Sequence, residues 1–420
     1  MLAVETVVLA LAALYLPRRL RNEVPRRALW LLFALALWLR LTALRFWPVS
    51  PQSDFALYEQ CARQYAAVPF AQWGTVHPGP YLENQWPVLM PFVLLEGVVL
   101  RLFHGDARAL QVIGALCQSG VCVLLALVGE KVCRSRKRGF LAGCLWAALP
   151  AGVLYAPTLT NQHPAMLFLW LGLWLLVTEK PALSPAAGAC LALSQLLRPE
   201  AAVAVLACGL CCIGFALALP QKRRRMLLCA LGCVLSYWAL IWAADAWLLK
   251  TGLISGSIRQ SHLDYKLLVG CNPESLGRWN ASDAALEGAE AIRQALKERL
   301  GLKLLPLWSA KLFLNVFDLY NPFLVPDGMQ VLAAPFTWLM ALLYLGMLPV
   351  ILRALRQLPC FWQGRGKAGL GAWLLAVCLL GYLAAYTLLE TQGRYLFVAY
   401  PFWILLSLLP KPCPPGGSLL

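Results

Sequence analysis

Charge is what this chain lacks most. Only 13% of its 420 residues are Asp, Glu, Lys or Arg, about half the share in a typical soluble domain. An ordinary water-facing surface is therefore excluded for much of its length. Histidine is rarer still, with four residues, and their spacing supports no metal site. There is no Walker lysine loop and no glycine-rich phosphate turn between a strand and a helix. A nucleophile elbow, an HExxH helix and recurring CxxC pairs are also missing. An enzyme built on this sequence needs a substrate that arrives already activated.

Long apolar runs fill the space that charge leaves. Hydrophobic residues make up 60% of the chain, and a membrane-spanning helix needs roughly 20 of them in a row. The runs do not alternate with polar residues, which sets aside a membrane barrel. The expected class is an all-α polytopic membrane protein with about 11 spans. They fall near 2–16, 28–47, 108–130, 139–158, 163–178, 185–197, 200–219, 226–248, 329–352, 369–388 and 395–410. The first is short, but arginines rather than a small-residue cleavage site follow it, so it is read as an anchor. Residues 1–410 are expected to form one integral-membrane domain, with 411–420 a disordered tail. Most of the fifteen cysteines sit inside apolar runs as small hydrophobes. Only Cys61 and Cys271 fall outward, and a pairing between them is left open.

The net charge of +16 does not point to nucleic acid. The basic residues cluster in short stretches between apolar runs: PRRLRNEVPRR at 17–27, EKVCRSRKR at 130–138, QKRRR at 221–225, and RALRQ near 353. Such clusters hold loops on the cytoplasmic side. With these four inside, the loop 48–107, the turn 159–163, the turn at Arg198, the stretch 250–328 and the residues 390–394 share the outer side. From Asp54 onward, Phe55, Tyr58, Ala62 and Tyr65 recur at helical spacing, opposite Glu59, Gln60, Arg63 and Gln64. This pattern predicts a helix lying on the membrane surface. NQWPVLMPFVLLEGVVLRLF at 84–103 predicts a second, tilted interfacial helix, since Pro87, Pro91 and Glu96 suit a span poorly. In the stretch 250–328, Asn280 with Asp283 reads as a cap, ahead of a stripe of Ala285, Ala289, Ile292, Leu296 and Leu300.

The candidate site residues come from charges that interrupt apolar sequence on this outer side. Asp54 is a favoured cap for the helix that begins there, or a general base for an acceptor hydroxyl. Ser53 can do the capping and leave Asp54 free. Arg394, in LLETQGRYLFVAYPF, either pairs with Glu390 one helical turn back or clamps a phosphate with its planar fork. Arg198, in LLRPE, pairs with Glu200 or binds phosphate. Lys311, in LWSAKLFLNVF, is an interfacial anchor or a further phosphate ligand. Tyr58, His77, Tyr81, His163, Asn272 and Tyr395 are candidates for lining a substrate cavity. Trp73, Tyr81 and Trp86 offer faces for a sugar, or serve as interfacial anchors.

The order of these pieces is familiar. An Asp follows an early span. Then come a surface helix, the proline-bearing NQWPVLMPFVLL, the turn LLRPE between short helices, and QGRYLFVAYPF before the last span. Together they resemble the C-type fold of integral-membrane glycosyltransferases. The nearest likeness is to the bacterial protein-mannosyltransferase-like group of family 39, which includes relatives of the lipid A aminoarabinose transferase. VGCNPESLGRWNASD at 269–283 is similar to an outer-loop pattern of some members. The resemblance covers residues 28 to 410. It implies inverting transfer of a sugar from a polyprenyl-phosphate donor, a membrane lipid, to an acceptor outside the cytoplasm. It implies Asp54 as base and Arg394 on the donor phosphate, with Arg198 at a matching basic position between the short helices; Lys311 joins the phosphate-binding set on the residue reading alone. No cofactor is required in this reading. Where many members carry a second acidic residue, this chain has Ser53 and Phe55 around Asp54, and Thr160-Asn161-Gln162-His163 at the outer turn. Both departures weaken the case for a bound divalent metal, which is possible but not supported by the sequence. The other function classes are a transporter or flippase of lipid-linked glycans and a non-catalytic envelope scaffold. A transporter favours internal repeats and midplane charges, and neither stands out here.

Overall fold

A computed structural model describes residues 24–260, 263–286, 288–301, 304–317 and 369–410, together with isolated positions between 331 and 352. The expected spans at 2–16 and 329–352 and the tail 411–420 lie outside the described residues. The described chain is all-α. Its helices are α1 (Ala28–Phe46), α2 (Asp54–Ala67), α3 (Met90–Leu102), α4 (Ala107–Cys133), α5 (Arg136–Ala148), α6 (Pro150–Leu154), α7 (Gln162–Val177) and α8 (Ser184–Leu197). There follow α9 (Ala202–Ala218), α10 (Arg223–Lys250), α11 (Leu263–Gly270), α12 (Ala281–Ala284), α13 (Ala289–Arg299), α14 (Leu304–Phe317), α15 (Gly369–Leu388) and α16 (Tyr400–Ser407).

Among the described residues, four helical stretches are long and apolar enough to cross a membrane: Ala28–Phe46, Ala107–Cys133, Pro220–Lys250 and Gly369–Leu388. Only 28% of the apolar stretch of the first and 33% of the third is buried inside the protein. Trp30, Leu31, Leu217, Leu235 and Trp242 all point outward. Apolar faces this broad fit a hydrocarbon surround far better than water. Gln162–Val177, Pro181–Leu197, Ala202–Ala218 and Arg394–Ser407 are shorter apolar helices.

The long helix α4 is the hub, packing on α1, α5 and α7. Asp106 caps it by accepting from the Arg108 amide at 2.9 Å, and Ser135 caps α5 by accepting from the Arg138 amide at 3.3 Å. The two helices touch through glycine. A Cβ at Gly139 would lie 2.3 Å from the Ala126 carbonyl oxygen, and one at Gly129 would lie 2.7 Å from Gly139 Cα. Small residues are what allow backbones this close. Layers then continue as α7 on α8, α8 on α10, α9 on α10 and α15.

Three local expectations are corrected. The span expected at 139–158 is broken, because Pro150 cannot join the ladder of α5 and instead starts the short α6. Asn280 does cap a helix, accepting from the Asp283 amide, but that helix ends at Ala284. Gly288, with φ +86°, separates it from α13. Cys61 and Cys271 are unpaired and buried, and the Cys61 thiol donates to the Pro78 carbonyl at 3.3 Å.

The surface helix α2 forms with its expected stripe turned inward: Phe55, Tyr58, Ala62 and Tyr65 are buried. It lies on α3, where Phe92 meets the Tyr58 ring edge-on at 6.2 Å. Arg101 of α3 closes its C-terminal end by donating to the carbonyls of Ala66 and Val68. This fixes the angle at which the N-terminal turn of α2, with Asp54, meets the bundle.

Candidate functional site

Asp54 stands at the first residue of α2 because the chain turns sharply just before it. Ser53 has φ +53° and ψ −131° and makes no capping hydrogen bond. The expected cap is therefore absent. A capping side chain needs extended backbone dihedrals to reach the free amides, and here the Ser53 hydroxyl faces Asp54 Oδ1 at 3.5 Å instead.

Arg394 comes from the other end of the chain. It sits in the 3-10 segment Gly393–Ala399, after Gln392 in extended conformation. Its Nη2 donates to Asp54 Oδ2 at 3.2 Å. The guanidinium stacks over Phe55 at 4.6 Å and lies 5.6 Å from the Tyr395 ring centre. Gln162 holds the segment from behind, donating to the Arg394 carbonyl at 2.9 Å, and Tyr155 donates to Gln162 at 2.6 Å. The expected pair of Arg394 with Glu390 does not form. Glu390 instead receives the ammonium of Lys266 on α11 and the side-chain amide of Gln392.

Both groups open onto one cavity of about 440 Å³. Its walls include Asp54, Phe55 and Tyr58 from α2, Tyr81 and Trp86 from the segment between α2 and α3, and Arg198 with Glu200 from the turn between α8 and α9. Lys266, Glu390, Arg394 and Tyr395 also line it. Apolar lining comes from Tyr237, Trp238 and Ile241 of α10 and from Leu196 and Leu389. Arg198 enters already engaged: it pairs with Glu200, donates to Asn161 Oδ1 at 2.9 Å and stacks on Tyr395 at 5.4 Å. Tyr386 donates to the same Glu200 carboxylate at 2.6 Å.

Burial and the neighbouring charges set the protonation of the cavity's phenols and of Lys266. Burial pushes the Tyr58 hydroxyl well above its ordinary range, and the neighbouring Tyr81 and Asp54 push it further. Burial and Asp54 raise Tyr81 likewise. Both phenols stay protonated and serve as donors. Burial alone would lower the Lys266 ammonium, but Tyr395 and Glu390 hold it above the usual lysine range. Lys266 also lies 4.9 Å over the Trp86 ring.

Of the residues expected from sequence, Asp54, Arg198, Arg394, Tyr58, Tyr81 and Tyr395 share this cavity. Four do not. Lys311 is fully buried in α14 and donates to the carbonyls of Gly270 and Leu389 at 2.9 and 2.6 Å. It braces the loop against the segment that leads to Arg394. Gly277 allows this: its φ is +74°, and a Cβ there would lie 2.7 Å from Lys311 Cε. Asn272 is buried in a polar knot, donating to Asp283 Oδ2 at 2.9 Å while Arg299 donates to Oδ1 at 2.6 Å. His163 is buried behind the site, with Nε2 3.1 Å from the Tyr155 carbonyl. His77 points to solvent, 3.4 Å from Glu83. Trp73 lies beneath α2 against Tyr65 and offers no open face.

Sequence reasoning missed Lys266 as a site residue, and with it the Asp245–Arg259 pair at the cavity's edge, held at 2.7 Å. Asp245 carried a signal. A carboxylate inside the apolar run of α10 demands a partner. Among the described residues, no three His, Cys, Asp or Glu side chains gather as a metal site. No protein-family model matches the chain, and no curated protein matches it.

Proposed function

We propose that the protein is an inverting glycosyltransferase. It moves a sugar from a polyprenyl-phosphate carrier to an acceptor hydroxyl outside the cytoplasm. The observation that carries this reading is the meeting of Asp54 with Arg394 on the wall of a cavity lined by both charged and apolar side chains. A charged headgroup with an apolar tail suits such a cavity. The C-type fold, the full set of eleven spans and the outward-facing site belong to the same proposal.

In the reaction, the donor phosphate lies against Arg394, with the Tyr58 and Tyr81 hydroxyls as further donors. The acceptor oxygen attacks the anomeric carbon from the face opposite the phosphate. Its proton passes to Asp54. The anomeric carbon–oxygen bond breaks, and its electron pair stays on the phosphate, where the guanidinium offsets the developing charge. Arg198, already paired with Glu200, orients Tyr395 and adds field rather than a free fork. Lys311, a carbonyl ligand, drops out of the phosphate set.

The test is transfer from a radiolabelled polyprenyl-phosphate sugar to envelope extract by protein reconstituted in membranes. Wild type should transfer label and Asp54→Asn should not. Equal transfer by both would remove Asp54 as the base. Export of the lipid-linked sugar by the wild type without transfer would favour the transporter.

A further inference from the structure

One charged side chain outside the cavity is enclosed completely. Arg40 of α1 is 0% exposed. Its Nη1 donates to the Ala36 carbonyl one turn back at 3.0 Å, but Nε and Nη2 meet no acceptor. Among the described residues, no Asp or Glu pairs with it. The Cys122 thiol lies against the guanidinium, yet its proton goes to the Gln118 carbonyl at 3.4 Å, so it supplies no counter-charge. Arginine keeps its charge under all ordinary conditions. A buried cation without a compensating anion is among the costliest groups a protein can hold, and in a membrane-depth helix water cannot screen it.

An independent feature lies beside it. Trp146 of α5 is also 0% exposed, and its indole Nε1 has no acceptor, although buried indole N–H groups normally find one. The two side chains converge at Gly152. A Cβ there would lie 3.6 Å from Arg40 Nη2 and 3.8 Å from Trp146 Cε2, the ring carbon bonded to Nε1. The nearest atom to that Cβ would be the Trp146 carbonyl oxygen, at 3.3 Å.

We propose that Arg40, Trp146 and Gly152 form a binding site for one small monovalent anion of halide size. Three N–H groups from two enclosed side chains satisfy its hydrogen bonds, and one guanidinium matches one negative charge. A water molecule meets the hydrogen bonds but leaves the charge unbalanced. A phosphate brings more charge, and more hydration to strip, than one arginine offsets. The site stands behind the catalytic candidate. Trp146 packs on Phe397 at 5.2 Å, and Phe397 on Tyr155 at 4.8 Å. Tyr155 reaches Arg394 through Gln162. The bound anion therefore steadies the segment that presents Arg394, whatever reaction that segment serves.

The test uses the full chain in nanodiscs. Thermal unfolding is followed in sodium chloride, bromide and gluconate at equal ionic strength. Chloride and bromide should raise Tm saturably by about 2–4 °C over gluconate, and Arg40→Met should lose that difference. Trp146→Phe keeps the ring packing, so it remains informative where Arg40→Met fails to fold. It should raise the halide concentration for half effect roughly tenfold. Crystals grown in bromide should give an anomalous peak between the guanidinium and the indole. Identical Tm in chloride and gluconate, an equal halide response in both variants, or solvent density without anomalous signal would overturn the site.

Discussion

Asp54 and Arg394 stand 340 positions apart in sequence and meet through a single hydrogen-bonded ion pair of 3.2 Å. The pair is lopsided. The Arg394 side chain is 4% exposed and the Asp54 side chain 35%. The arginine is fixed by stacking on Phe55 and by Gln162 behind its backbone, so the aspartate is the member able to move. In the proposed reaction, a phosphate docking on Arg394 would compete for the nitrogen that now holds Asp54 and so release a carboxylate to meet the acceptor.

That lopsidedness separates stability from turnover. Ion pairs that water reaches are worth about 0–1 kcal/mol. Asn also keeps an oxygen that accepts from the enclosed Arg394, so Asp54→Asn should leave the unfolding temperature within a few degrees of wild type, roughly what 1 kcal/mol shifts. Loss of a general base typically lowers kcat by about 10²–10⁴. Parallel measurement of unfolding in detergent and transfer in liposomes checks both. A variant that loses transfer only in proportion to folded protein would make Asp54 structural.

Ser53 gives a test with the opposite sign. Its backbone lies at positive φ with no cap bond, a region that costs most side chains about 1–3 kcal/mol. Ser53→Gly should stabilise the protein by about 1 kcal/mol, and Ser53→Ala should change little, since no cap is lost. Denaturant midpoints of the three proteins decide. A large loss in Ser53→Ala would restore the hydroxyl as a cap.

Lys266 and Glu390 should behave as a unit. Glu390 is 2% exposed, whereas the Lys266 side chain is 29% exposed. Lys266→Met strands a buried carboxylate, whose partial loss of pairing costs about 3–5 kcal/mol. Glu390→Leu strands an ammonium that still reaches water, so it should cost less. The double variant should be milder than the sum of the singles. Additive losses in a double-mutant cycle would show that the two are not coupled.

These pairings mark where the sequence stops being informative. Apolar runs declare helices because length and hydropathy belong to one segment. Asp54, Arg198 and Arg394 were legible for the same reason, as charges in apolar surroundings. Partner choice depends on backbone path. Glu390 and Arg394 stand one helical turn apart in number, but Gln392 is extended and the turn beyond it is 3-10, so the two do not share a helical face. Ser53 looks like a cap until its φ is known. Lys311 interrupts its apolar run in the same way whether its amine meets a phosphate or two carbonyls, and only the approach of Gly277 decides between them.

Lys311 supplies the pH test. Burial pulls its ammonium down to about 8, although Cys271 and Glu390 act to raise it, while an unfolded lysine titrates near about 10.4. Below about pH 8 both states hold the proton, and the native state bears the burial penalty in full. Between about 8 and 10.4 the unfolded chain binds a proton that the native chain does not. Stability contributed by this group therefore rises with pH across that window. Lys311→Met removes the titration, so the stability of wild type relative to the variant should climb between about pH 8 and 10. Unfolding of both proteins across that range measures it, with groups not coupled to Lys311 cancelling in the difference. A pH-independent difference would mean that the two carbonyls keep the amine charged throughout. Because Lys311 stands outside the cavity, Lys311→Met should retain transfer per folded molecule. That distinguishes a brace beneath Arg394 from a ligand of the donor phosphate, a ligand whose loss would lower turnover at every pH.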